Sequence, residues 1–167
     1  LNEKVFGSTI YDAFRKVKNA FDPKGLMNPG KIVDSSPMEK NLRIDPNYST
    51  QTIPTGFSYG QEGGFAKAIE MCNGQGACRK LDGTMCPSYM ATRDEKHSTR
   101  GRANALRAAI SGNLSNNSIT SHRMYDVMDL CLECKACKSE CPSNVDMAKL
   151  KYEFLGMYHK SNGFKLN

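Results

Sequence analysis

Cys131-Leu-Glu-Cys134-Lys-Ala-Cys137-Lys-Ser-Glu-Cys141-Pro142 packs four cysteines into one C-x2-C-x2-C-x3-C-P run. Three thiolates separated by two residues each can wrap one face of a cubane, while backbone N–H groups of the loop point at its sulfides. Pro142 cannot donate a backbone hydrogen bond, so the chain turns away after Cys141. The spacing therefore points to an iron–sulfur cluster. The competing reading is zinc, which C-x2-C pairs also bind. Zinc knuckles usually join two separated pairs, and this run is continuous and ends in Pro.

Upstream lies a second block, Cys72-Asn-Gly-Gln75-Gly-Ala-Cys78, followed by Cys86-Pro87. It fits the same template with two departures. Gln75 stands where a cysteine is expected, and four extra residues separate Cys78 from Cys86. All seven cysteines of the 167-residue chain fall in these two blocks. An odd number in two tight groups argues against a disulfide framework.

Composition narrows the class. Hydrophobic residues make up 39% and charged residues 24%, ordinary for a globular protein and too apolar for a wholly disordered one. No apolar run approaches the ~20 residues of a membrane span, and the start shows no secretory pattern. The chain lacks an initiator Met and reads as a piece of a longer protein. The net charge of +6 falls close to neutral once two clusters, each about −2 with its thiolates, are counted. Trp is absent and basic residues do not alternate with aromatics, so no nucleic-acid partner is expected.

Periodicity predicts a mainly α fold. Residues 8–21 place Ile10, Phe14, Val17 and Phe21 on one helical face behind Ser8. Asp22-Pro-Lys-Gly25 and Asn28-Pro-Gly30 then break the helix. Residues 34–62 read as an extended irregular strap. Further helices are expected at 63–71, at 98–111 with Ala103, Leu106 and Ile110 inward, and at 119–130 with Met124, Val127 and Met128 inward. The segment 112–118 reads as a loop. A last helix is expected at 145–159, capped by Asn144, with Val145, Ala148, Tyr152 and Leu155 inward.

The stretch Ala13-F-R-K-V-K-N-A-F-D-P-K-G-L-M-N-P-G-Lys31 resembles the C-terminus of an FAD-linked oxidase domain, as in flavoproteins that oxidise D-lactate, glycolate and D-2-hydroxyglutarate. Gly63-G-F, Cys72-N-G-Q-G-A-C-R-Lys80, Met85-C-P-S-Y-M-A-T-R-D-E-K-H-S-T-R-G-Arg102 and Cys131 to Asp146 resemble the helical ferredoxin module of the large fused members. The resemblance implies residues 1–33 as the oxidase tail, 34–62 as a linker and 63–160 as an α-helical ferredoxin-like two-cluster domain. It implies FAD in the parent, with Asn28 and Lys31 near the flavin; the plainer reading of that turn is a helix stop. Its partners would be the FAD-binding domain of the same chain and a downstream acceptor such as a quinone or cytochrome, in a cytoplasmic setting.

In two-cluster ferredoxins the Cys before Pro ligates the other cluster. Carried over, Cys131, Cys134, Cys137 and Cys86 would hold one [4Fe-4S] cluster, and Cys72, Cys78 and Cys141 the second. The gap at Gln75 is similar to the three-iron site of the succinate dehydrogenase iron–sulfur subunit. The second site would thus hold a [3Fe-4S] cluster or a [4Fe-4S] cluster with a non-cysteine corner, or stand empty. Arg100 and Arg102 can offset cluster charge, although a solvated helix face is the commoner fate of such arginines. His97 and His122 are weak ligand candidates. A structural zinc or cluster module and a redox sensor remain as alternatives to electron transfer.

Overall fold

The computed structural model describes residues 2–40, 42, 44, 47–112, 114 and 118–164. Among these, all regular structure is helical, as the periodicity predicts. The chain divides into two compact units, Leu1–Tyr48 and Ser49–Asn167. No helix of the described residues is long and apolar enough to cross a membrane.

The first unit is built on α1, Asn2–Phe21. It begins before the expected residue 8, but Gly7 interrupts it with φ 79° and ψ 163°. That conformation suits only glycine, and a regular helix resumes at Ser8. The chain after α1 folds back on it. The Asp22 carboxylate accepts the N–H groups of Leu26 and Met27, both at 2.8 Å, and pairs with Lys18. The Tyr11 hydroxyl accepts Asp34 N–H at 2.9 Å, and Arg15 reaches Asp34 Oδ1 at 2.8 Å. Of the predicted apolar face of α1, Phe14 is half-buried while Ile10, Val17 and Phe21 remain exposed, Phe21 at 79%.

The second unit contains α2 (Phe65–Glu70), α3 (Pro87–Thr92), α4 (Thr99–Ile110), α5 (His122–Asp129), α6 (Ala136–Glu140) and α7 (Met147–Asn162). The hub is α4, which packs against α2, α5 and α7. Ser98 caps it by accepting Gly101 N–H at 2.9 Å, and Leu106 and Ile110 are fully buried. Their packing partners include Ile69, Met128, Leu150 and Phe154, each worth about 1.5–3 kcal/mol on burial. Gly101 is a steric requirement: a Cβ there would stand 2.0 Å from the Glu95 carbonyl oxygen. A turn at Glu95–His97 thus lies directly on the first turn of α4.

Residues 49–62 have no regular structure and are pinned by α7. The buried Glu153 carboxylate accepts Gly56 N–H and Phe57 N–H at 2.8 and 3.0 Å. Lys149 donates to Ser58 O at 2.7 Å and lies over the Tyr59 ring. Of the expected strap, residues 41, 43, 45 and 46 lie outside the described residues, as do 113 and 115–117 of the expected 112–118 loop.

The last helix departs from expectation. Its cap is Asp146, which accepts Lys149 N–H at 3.0 Å, and not Asn144. Asn144 sits in a left-handed turn closed onto Cys141 O at 2.8 Å, which delays the helix. Ala148 is buried as expected and Leu155 packs against the core, but the rest of the inward face is Met147, Leu150, Phe154 and Tyr158, while Tyr152 is 48% exposed. Val145 is buried as a loop residue. Likewise α5 starts at His122 behind Ser121, because residues 118–120 form a separate 3-10 turn.

Candidate metal centres

The two cysteine blocks interleave in space. One small cavity is lined by Cys86, Cys131, Cys134 and Cys137, with Thr99 and Arg102 in its wall. A second is lined by Cys72, Cys78 and Cys141, with Gln75, Thr99 and Arg100. Each cavity takes cysteines from both blocks. Thr99, at the N-terminus of α4, belongs to both walls.

Local structure explains the placement. The cap at Ser98 starts α4 between the cavities, so its free N–H groups and the positive end of its dipole face them. Cys137 lies in α6 and its sulfur receives N–H groups of Met147 and Ala148 at the start of α7. Arg100 N–H donates to Cys78 Sγ at 3.3 Å, Glu133 N–H to Cys131, and Tyr89 N–H to Cys86. Four thiols thus already receive backbone donors, which favour a thiolate over a thiol. Cys134 is exposed, Cys131 and Cys141 are half-buried, and the other four are buried.

Burial pushes the thiols of Cys78 and Cys131 up, and that of Cys137 up to about 11. Cys86 goes the other way. Burial raises it too, but the Ser88 hydroxyl, Tyr89 N–H and the Arg102 guanidinium outweigh that and hold it below its ordinary value. None of the seven cysteines is joined in a disulfide. They stand around cavities: among the described residues, no three His, Cys, Asp or Glu form a group that could hold a single metal ion. A multi-iron cluster is ligated at its corners, so cysteines ringing a cavity, four of them with N–H donors, suit it.

Several neighbours were not legible as site residues. Glu140 ties the Cys86 loop to α6: its carboxylate accepts Thr84 N–H at 2.9 Å, pairs with Lys80 at 2.6 Å and also bonds the Thr84 hydroxyl and Met85 N–H. Lys151, buried, donates to Cys131 O at 2.8 Å and pairs with Glu133 at 2.9 Å. Arg102 is wholly buried, contrary to the commoner expectation of a solvated arginine. It lies one helical turn before Leu106, and that spacing was the available signal.

The other expected residues fall elsewhere. Asn28 and Lys31 belong to the first unit, where with Phe14, Val17, Phe21 and Met27 they line an apolar groove of about 640 Å³. His97 bonds Thr92 Oγ1 at 2.9 Å and His122 bonds the Tyr158 hydroxyl at 2.7 Å; neither lines a cysteine cavity.

Comparison with known proteins agrees with this arrangement. Residues 60–145 match the model of the 4Fe-4S dicluster domain, and residues 2–32 match that of the FAD linked oxidases, C-terminal domain. The chain is 30% identical, over 93% of its length, to a D-2-hydroxyglutarate dehydrogenase of Pseudomonas putida. The corresponding values are 30% over 92% for the Pantoea ananatis protein of that name and 29% over 92% for that of Escherichia coli. It spans only about a fifth of these relatives, 19%, 18% and 19% of their lengths. No solved structure matches the chain. An iron–sulfur, electron-transferring role is what these matches support, and the chain belongs to the 4Fe-4S dicluster domain family.

Proposed function

We propose that this chain is the electron-relay module of an FAD-linked dehydrogenase acting on a D-2-hydroxy acid of the D-lactate or D-2-hydroxyglutarate kind. One observation carries the reading: two cavities, each ringed by cysteines drawn from both blocks. Cys86, Cys131, Cys134 and Cys137 are assigned to a [4Fe-4S] cluster. Cys72, Cys78 and Cys141 are assigned to a second cluster, three-iron or four-iron with an open corner beside Gln75. When bound, such clusters take up and release electrons one at a time, the chemistry needed to draw a pair singly from a reduced flavin.

The chain's own residues supply the rest. The thiolates bind, and the N–H groups of Glu133, Tyr89, Arg100, Met147 and Ala148 orient them. Buried Met85, Met147 and Val145 exclude water from the cavity walls. With only Thr99 common to both walls, the two sites lie close, which suits transfer between them. Residues 1–33 are assigned to the flavin domain, with Asn28 and Lys31 facing the cofactor, 34–62 to the linker and 63–160 to the cluster domain. Seven cysteines outside any disulfide suit a reducing cytoplasm. The acceptor is a quinone, cytochrome or other carrier.

Anaerobic reconstitution followed by iron, sulfide and zinc counting tests the reading. About seven or eight irons per chain is the expected result. Zinc in place of iron would overturn it, and about four irons would remove the second site.

A further inference from the structure

The cations lining the cysteine cavities are Arg100, Arg102 and Lys135. Arg100 pairs with Glu95 at 2.7 Å, and Lys135 is exposed to solvent. Arg102 is different. It is 0% exposed, the largest fully buried side chain, and among the described residues no carboxylate pairs with it. Its Nε donates to Val127 O at 3.0 Å, Nη1 to His97 O at 2.6 Å, and Nη2 to Ser88 Oγ at 3.0 Å. Nη1 also lies 3.6 Å from Cys86 Sγ, and the side chain forms part of the first cavity's wall.

A guanidinium carries a fixed charge, and a buried charge without a counter-ion is costly. Neutral carbonyls and a hydroxyl satisfy its hydrogens but not its charge. The missing anion must enter with whatever fills the cavity. We infer that Arg102 is the counter-charge of the cluster in the first cavity, setting its reduction potential; this rests on the iron–sulfur reading above. Adding an electron makes a cluster more negative, so a fixed cation at contact distance stabilises the reduced form. Being buried, it is little screened by salt. Arg102 is thus a positioning and tuning residue, not a ligand.

The test is a redox titration of the reconstituted chain, followed by electron paramagnetic resonance, with Cys134→Ser used to mark the first-cavity signal. Arg102→Gln removes the charge and keeps a polar side chain. It should lower the reduced-to-oxidised ratio of that cluster at fixed potential by at least about tenfold, about 59 mV for one electron. Arg102→Lys should restore most of the shift and leave the second cluster unmoved. A first-cavity potential unchanged in Arg102→Gln overturns the inference. If Arg102→Gln takes up no iron, Arg102→Lys decides: loading at the wild-type potential supports the charge role. Failure to load, or the lowered potential, shows a purely structural fork and overturns it. A wild-type chain that binds zinc, or no metal, defeats the iron–sulfur reading itself, before any variant is made.

Discussion

Gly101 sets two general rules against each other. In a helix interior, Gly→Ala gains about 1 kcal/mol from propensity. Gly101 lies in the first turns of α4, so Gly101→Ala would be stabilising on that ground alone. The structure reverses the sign. The added Cβ would stand 2.0 Å from Glu95 O, 2.8 Å from Glu95 C and 3.1 Å from Lys96 Cα. All three are backbone atoms, so no side-chain rotation relieves the contact. Ordinary separation needs more than about 1 Å of movement. That carbonyl accepts Ser98 N–H at 3.0 Å and the Ser98 hydroxyl at 2.8 Å. Losing both costs about 1–3 kcal/mol, and the overpacking about 1–3 kcal/mol more. Subtracting the propensity gain leaves a net loss near 3 kcal/mol. Urea melts of the metal-free chain should show it, as should a melting temperature lower by roughly 6–12 °C. Since α4 starts between the cavities, iron uptake should fall as well. A Gly101→Ala chain as stable as wild type would refute the close-approach argument.

Glu140 predicts a pH dependence. Its carboxylate is held at about 2, against 4.5, first by Lys80 and then by the Thr84 hydroxyl and N–H. A depressed carboxylate contributes stability above its unfolded value, and loses it as pH falls through the folded one. The stability gap between wild type and Glu140→Gln in urea melts should therefore hold above about pH 4.5 and close toward pH 2; a gap constant over that range would count against the clamp. Gln75→Cys should complete the second site, so that the oxidised variant keeps about one iron more than wild type and loses any three-iron resonance. An unchanged iron count would show that Gln75 does not mark the open corner. The chain alone should carry no stoichiometric FAD through gel filtration and should not oxidise D-2-hydroxyglutarate. Its match to the flavin-linked domain covers residues 2–32 only.

Helices with a single apolar stripe were legible from spacing. Ala103, Leu106 and Ile110 are buried as expected because α4 packs one face on the core. The register of α7 was not. Val145 and Ala148 are both buried, but Val145 lies in the loop before the Asp146 cap, and the expected inward Tyr152 is exposed. The short helices Pro87–Thr92 and Ala136–Glu140 have too few turns to show a period. Polar groups at the site were hardest to read. Glu140 acts through a loop distant in sequence, at residues 84–85, and nothing local encodes such a partner. Arg102 was readable in part, since it occupies the Leu106 stripe, yet a charge there looks like an edge of the solvated face until its acceptors are known.

The order of the cysteines along the chain has a consequence for assembly. Under the proposed ligand sets, neither site closes within one block: Cys86 must meet residues 131–137, and Cys141 must meet Cys72 and Cys78. Each cluster then bridges segments tens of residues apart, and loading stabilises the tertiary fold as well as the loops. Such closure is slow and entropically costly unless the segments are held beforehand. Protein contacts already do this. Glu140 ties the 84–86 loop to α6, and Arg102 joins the Cys86–His97 segment to the end of α5 through Val127 O. The Arg100 N–H to Cys78 sulfur bond anchors the other block to α4. The first turns of α4 carry the Arg102 and Arg100 links, and its capped N-terminus directs helix-dipole charge and N–H donors between two sites that each carry an anion when filled. Preformed cavities on one helix end account for how seven cysteines from distant positions sort into two sites without a disulfide to align them.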